Sequence, residues 1–183
     1  MSKTAFIGHR QVFAENIWTK LLDAITNEIT NGCSVFTMGT HGDFDKLSLS
    51  ACRELRDIYH SIKIEVVITS LNSIKYNADK EIAPYSDVDT VMYDIENTHY
   101  KQQISSSNRQ MLDTCDTLIC YVDENKLGRS GAKNAMKYAK KIGLKVINLY
   151  RKEDQPYYGM TMEEIKNDFN SRYDRIIQKN KRK

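Results

Sequence analysis

Apolar positions fall into two rhythms that alternate along the chain. Short continuous runs rich in β-branched and aromatic residues occur at Lys3 to Ile7, Ser34 to Met38, Ile62 to Thr69, Thr117 to Val122 and Val146 to Leu149. Each has the length and composition of a buried strand. Between them the spacing changes to three and four. Ile17, Leu21, Ile25 and Ile29 form one stripe, with Trp18 and Leu22 beside it, and Leu47, Ala51, Leu55 and Ile58 form another. Lys101 to Cys115 and Gly131 to Ile142 complete the helical set, the latter with Ala132, Ala135, Met136 and Ala139 inward. Asn31-Gly32 and Gly143 stand where a glycine closes a helix. Met162, Ile165, Phe169, Tyr173 and Ile176 space out a last amphipathic helix.

Strands separated by helices pair in parallel through crossovers. The pattern therefore predicts an α/β, Rossmann-like doubly wound fold: a mostly parallel sheet with helices on both faces, and a C-terminal helix. Residues 1–150 would form the ligand-binding domain. Residues 151–183, the helix and a basic tail, would belong to the same unit. Ser70 to Tyr100 breaks the rhythm, being polar and aromatic and carrying Pro84. A long irregular excursion is expected there, with a short strand near Val91 to Tyr93. Long ordered loops are often functional, which makes this one a candidate lid.

Composition narrows the classes. The 183 residues suit one domain, and 40% hydrophobic with 28% charged is ordinary for a soluble globular chain. The net charge of +3, concentrated in Lys179, Lys181, Arg182 and Lys183, is too small to favour a nucleic-acid partner. No apolar run approaches a membrane span, and the N-terminus enters a predicted strand at once, which leaves no room for a secretory leader. Cys33, Cys52, Cys115 and Cys120 include no C-x-x-C pair. They read as reduced packing residues of a cytoplasmic protein. No histidine or cysteine spacing suggests a metal, and no cofactor is expected.

Doubly wound sheets bind ligands beyond the carboxyl ends of their strands, so the informative residues are those that follow each strand. The first strand runs into Gly8-His9-Arg10. Glycine permits close approach, arginine offers a planar donor fork for phosphate or carboxylate, and histidine can move a proton. A tight turn with a surface arginine is the plainer explanation. The second strand runs into Gly39-Thr40-His41-Gly42-Asp43-Phe44-Asp45. Here loop and helix-start amides would converge on an anion, with Asp45 either touching a ribose hydroxyl or capping local amides. This is neither the dinucleotide glycine fingerprint nor a phosphate loop with its lysine. The fourth long strand leads to Gly128-Arg129-Ser130-Gly131, with Ser130 as helix cap and Arg129 and Lys133 adding positive charge. Asn108-Arg109 lies in a predicted helix. Arg109 either reaches the pocket or pairs with Asp113.

Taken in order, several of these segments resemble the SLOG superfamily, in a subgroup of bacterial and phage proteins of unknown function. They are Ala5-Phe6-Ile7-Gly8-His9-Arg10, Phe36 through Asp45, Ser107-Asn108-Arg109-Gln110-Met111, Cys120-Tyr121-Val122, Ser130-Gly131-Ala132-Lys133 and Val146-Ile147-Asn148-Leu149. The resemblance covers roughly residues 3 to 150. It implies a Rossmann-like fold, a ligand site built from the glycine loops and a tendency to form homodimers. It does not imply one reaction, because the superfamily contains phosphoribohydrolases, DNA-processing proteins and sensors of nucleotide-derived signals. The hydrolases carry Gly-Gly-x-Gly-Thr-x-x-Glu. With its last glycine at Gly131, the threonine falls on Ala132 and the catalytic glutamate on Ala135. Alanine moves no proton.

The expectation is therefore a binding or sensing domain for a nucleotide or a nucleotide-derived phosphorylated small molecule, leaning away from an enzyme. Its ligand residues would be Gly8, His9, Arg10, Gly39, Thr40, His41, Gly42, Asp45, Asn108, Arg109, Gly128, Ser130, Gly131 and Lys133. Two alternatives stay open. One is an N-glycosidic or phosphoribosyl hydrolase using Asp45 or His9. The other is a DNA-processing type of nucleic-acid-associated protein.

Overall fold

In the computed structural model, residues 2–69, 83–93, 98–99, 102–168 and 170–171 are described. Six strands form one all-parallel sheet: β1 (Ser2–Gly8), β2 (Cys33–Met38), β3 (Lys63–Val67), β4 (Asp89–Val91), β5 (Thr117–Tyr121) and β6 (Lys145–Asn148). Among the described residues four long helices connect them: α1 (Ile17–Thr30), α2 (Asp43–Ile58), α3 (Gln103–Asp113) and α4 (Gly131–Lys141). The predicted α/β doubly wound class is the observed one, and among the described residues the long strands and helices predicted before residue 150 are present, with ends moved by at most two residues.

The strand order is β4-β3-β2-β1-β5-β6. Side chains alternate across a strand, so β1 sends Ala5 and Ile7 to one face and Thr4 and Phe6 to the other. Ala5 and Ile7 join Leu118, Cys120 and Val122 against Met111 and Leu112 of α3 and Ala132, Ala135, Met136 and Ala139 of α4. On the opposite face Phe6 meets Phe36, with ring centres 6.1 Å apart. The buried stripe of α1 is Ile17, Leu21, Ala24, Ile25 and Glu28, and that of α2 is Phe44, Ser48, Leu49, Ala51, Cys52 and Leu55. Ile58, expected inward, is 66% exposed. It ends a helix of 16 residues, about 24 Å long at 1.5 Å per residue, whereas the five-residue strand it leads to spans about 17 Å. The helix overhangs the sheet.

Glu28 joins helix to sheet. Only 4% exposed, it accepts from Thr117 Oγ1 at 2.9 Å and from Lys145 Nζ at 2.6 Å. At the far edge Arg53 and Arg56 of α2 grip Asp87, and Arg53 also donates to the Pro84 carbonyl. These bonds dock the turn before β4 on α2, and they hold the Asp87 carboxyl down at about 2. The predicted short strand is there, at Asp89–Val91 rather than Val91 to Tyr93. Most of the candidate lid, 70–82, 94–97 and 100, lies outside the described residues.

The chain divides into two compact units, Met1–Val12 with Asn16–Tyr150, and Phe13–Glu15 with Arg151–Lys183. The second contains the short turn Lys152–Asp154 and a helical segment at 162–168. That segment opens with a capping box, in which Glu164 accepts from the Thr161 amide at 2.6 Å and Thr161 Oγ1 accepts from the Glu164 amide at 3.3 Å. Phe169, Tyr173, Ile176 and the basic tail lie outside the described residues. No helix among the described residues is long and apolar enough to cross a membrane.

Candidate functional site

From β1 the chain steps outward through β2 and β3 to β4, then returns to lay β5 on the other flank of β1. The order reverses between β1 and β5, and the loops leaving those two strands must diverge. This is where an open parallel sheet has its crevice. The loops are Gly8-His9-Arg10 and Val122-Asp123.

The two loops are tied together. The His9 amide donates to the Tyr121 carbonyl at 3.0 Å. The Asp123 amide donates to His9 Nε2 at 2.9 Å. Nε2 is thus an acceptor, so the ring is neutral with its proton on Nδ1. Burial lowers the His9 pKa, the nearby Lys126 charge lowers it further, and Asp123 opposes both. Asn148 at the end of β6 fixes the next position. Its side chain accepts from the Val122 amide at 3.0 Å and donates to the Val122 carbonyl at 2.8 Å. Asp123 in turn accepts from the Asn125 amide and from the Tyr150 hydroxyl.

Gly8 and Gly42 explain how the first and second loops come together. A β-carbon on Gly8 would lie 2.5 Å from Cβ and Cγ of Phe44, which is fully buried and stacks on Tyr121 with ring centres 5.9 Å apart. A β-carbon on Gly42 would lie 3.1 Å from Arg10 Cα. The Arg10 carbonyl accepts from the Asp43 amide at 2.9 Å. The backbone of Arg10 is therefore pinned against the start of α2. Among the described residues its guanidinium has no hydrogen-bond or ion-pair partner, and it is exposed.

The second loop departs from the expectation that its amides face an external anion. Asp45 turns back from the first turn of α2, and its Oδ2 accepts from the His41 amide at 2.9 Å and the Gly42 amide at 3.2 Å. The same oxygen would sit 3.3 Å from a β-carbon on Gly39. The protein's own carboxylate fills the cradle. Geometry favours this because a carboxylate at the third helical position is within reach of the cap amide and is attracted by the helix N-terminus. Burial outweighs the two amide bonds and pushes the Asp45 carboxyl up to about 6. His41 Nε2 lies 2.6 Å from Thr69 Oγ1 and so links this loop to the end of β3. Burial, and then the Arg10 charge, lower the His41 pKa. Thr40 is half-buried on the same loop.

The third loop matches expectation in part. Ser130 caps α4, its Oγ accepting from the Lys133 amide at 3.2 Å. The amides of Gly131 and Ala132 have no acceptor among the described residues, and nothing lies within 4 Å of a β-carbon built on Gly131. Lys133 Nζ donates to the Lys126 carbonyl at 3.3 Å. Gly128 and Arg129 are exposed in the turn between them.

Asn108 and Arg109 part company with the rest. The C-terminal end of α3 lies at the starts of β1 and β5, since the Asp116 amide just beyond it donates to the Lys3 carbonyl. Arg109, in the second half of α3, packs over the Tyr138 ring of α4 at 5.5 Å, and Tyr138 donates to Asp113. It serves helix–helix contact rather than the strand ends. Asn108 is half-buried, next to Ser107, whose hydroxyl is buried without a partner among the described residues.

No protein-family model matches the chain, and no curated protein does.

Ala135, where the resemblance would place a hydrolase glutamate, is 6% exposed and packed in the core beneath α4. Burial raises Cys115 and Cys120 to about 12 and Cys52 higher still, which leaves all three as thiols at neutral pH. Among the described residues no three histidine, cysteine or acidic side chains gather as a metal ion would need. Sequence reasoning missed Asp123, Lys126 and Asn148. An asparagine at a strand end was the available signal for Asn148. The roles of the other two depend on which loops meet.

Proposed function

We propose that this protein binds a nucleotide, or a nucleotide-derived phosphorylated small molecule, in the crevice between the β1 and β5 loops, as a non-catalytic binding or sensing domain of the SLOG type. The observation that carries this is Arg10. Its backbone is immobilised at the switch point by Gly42 and Asp43, while its guanidinium is left without a partner among the described residues. A cation so placed costs the fold little and suits phosphate, which an arginine fork binds through two charge-assisted bonds. The unengaged amides of Gly131 and Ala132 at the start of α4, with Lys126, Lys133 and Arg129 around them, favour the same sign of ligand.

The test is thermal stabilisation by nucleoside mono-, di- and triphosphates and cyclic dinucleotides. A ligand at one hundred times its Kd adds about 2.7 kcal/mol, several degrees in Tm. Arg10→Ala should fold as wild type and lose that shift. A panel that moves Tm nowhere, or moves it equally in Arg10→Ala, defeats the proposal.

A second reading has one observation in its favour. The Asp45 carboxyl, raised to about 6, is suited to general acid–base work on an N-glycosidic bond. It requires release of free base from nucleoside phosphates, abolished in Asp45→Asn.

A further inference from the structure

The chemistry of the second loop assigns a more specific ligand. Asp45 Oδ2 is committed to two amides. Oδ1 accepts from nothing among the described residues, yet it is not among the buried polar atoms left without a partner. It is open to solvent. On the other side of Gly42 stands Arg10, also unpaired, and the two do not form an ion pair with each other. Among the described residues, a free acceptor and the backbone of a residue with an unpaired cationic side chain therefore flank one glycine, and the Arg10 charge is felt at the neighbouring His41.

Signs decide what fits. An ionised carboxylate only accepts hydrogen bonds. A phosphate seated against the His41 and Gly42 amides would have to displace Asp45 or sit beside it, and two anions in one small site repel. Asp43, exposed at the first position of α2, adds further negative charge on that side. The second loop is thus a poor phosphate site and a good one for a hydroxyl or amino donor. The phosphate is left to Arg10. A ligand that satisfies both groups carries an anion and a hydroxyl donor on one small framework.

We propose that Asp45 Oδ1 accepts a hydrogen bond from a ribose hydroxyl of the bound nucleotide while Arg10 holds its phosphate, so that the site selects nucleoside phosphates with an intact sugar diol. This rests on the nucleotide-binding function proposed above. An acceptor that a bound ligand shuts off from water rejects an analogue lacking the donor far more strongly than an apolar pocket rejects a change of size, because the acceptor is then left unpaired.

Calorimetric titration with AMP, GMP, CMP and UMP and their 2′,3′-dideoxy counterparts tests this on the wild-type protein. At least one ribonucleotide should bind tenfold or more tightly than its dideoxy form, and in Asp45→Asn the ratio should shrink to within about threefold. Equal affinity for the two forms in the wild type overturns the inference without any variant. So does a preference that survives unchanged in folded Asp45→Asn. In either case, binding that still depends on Arg10 leaves the nucleotide-binding function standing. If none of the eight compounds binds, the inference falls, and if the wider panel also fails, the function falls with it.

Discussion

At the scale of single residues, two glycines that look alike in the sequence have opposite meanings. Gly8 is needed because a β-carbon there would drive into the Cβ and Cγ of Phe44 at 2.5 Å. Phe44 cannot retreat, being fully buried against Tyr121. Gly8→Ala should therefore cost about 1–3 kcal/mol, the range for overpacking a filled core. It should also shift the start of α2 and so weaken the nucleotide binding proposed above. Gly131 has open space around it and an ordinary negative φ. Gly131→Ala, at the first position of α4, should change stability by less than about 0.5 kcal/mol. Chemical denaturation of the pair measures both. Equal costs would mean that the approach of Phe44 to β1 is not what requires Gly8. A sequence shows that glycine is present; only the packing shows which one is obligatory.

At the scale of elements, periodicity announced almost everything that contributes to the core and little of what crosses between elements. The stripe of α4, most of that of α1 and the Ala51–Leu55 part of that of α2 were legible because burial imposes a repeat on each helix by itself. Arg109 was ambiguous because its partner, Tyr138, lies on another helix at a distance in sequence that no local pattern encodes. Glu28 was invisible for the same reason. Within α1 it occupies an apolar position, one turn beyond Ala24 and Ile25. Its acceptors serve Thr117 on β5 and Lys145 on β6. Glu28→Ala should cost about 1–3 kcal/mol, mainly because the Thr117 hydroxyl, 3% exposed, is left without its partner. Lys145, 55% exposed, returns to water at little cost. The double variant Glu28→Ala, Thr117→Val should recover much of that loss, and denaturation midpoints of the single and double variants test the coupling.

At the scale of the whole molecule, the alternation of rhythms was enough for the sheet class, but not for the state of the loops at the carboxyl ends of its strands. The Ser130 cap was readable because it obeys a local rule. The filled cradle was not, because an acidic residue at that position of the sequence suits either helix capping or an outside donor, and only the fold shows Asp45 turned back on the His41 and Gly42 amides. The consequence is a titration in which neighbouring groups oppose one another. Asp45 is raised from its ordinary 3.8 to about 6. The folded state then holds a proton that the unfolded chain has lost, so this group makes stability fall as pH rises from about 4 to about 6. His9 and His41 are lowered from 6.5. For them the unfolded chain binds the extra proton, so their contribution is complete above about 6.5 and is lost as pH falls below it. Protonating His9 also removes the acceptor for the Asp123 amide. In the wild type the two trends partly cancel between pH 4 and 6.5. Asp45→Asn removes the acid's share and leaves the histidines'. The variant should gain about 1–3 kcal/mol over wild type above pH 6.5, since each tenfold change in proton affinity is worth about 1.4 kcal/mol. Its stability should fall more steeply on acidification than that of the wild type, and the two should converge near pH 4. Urea midpoints at half-unit steps of pH decide this. Parallel curves for the two proteins would mean that the carboxylate behind Gly42 titrates as it would in water, and that burial does not govern it as the fold implies.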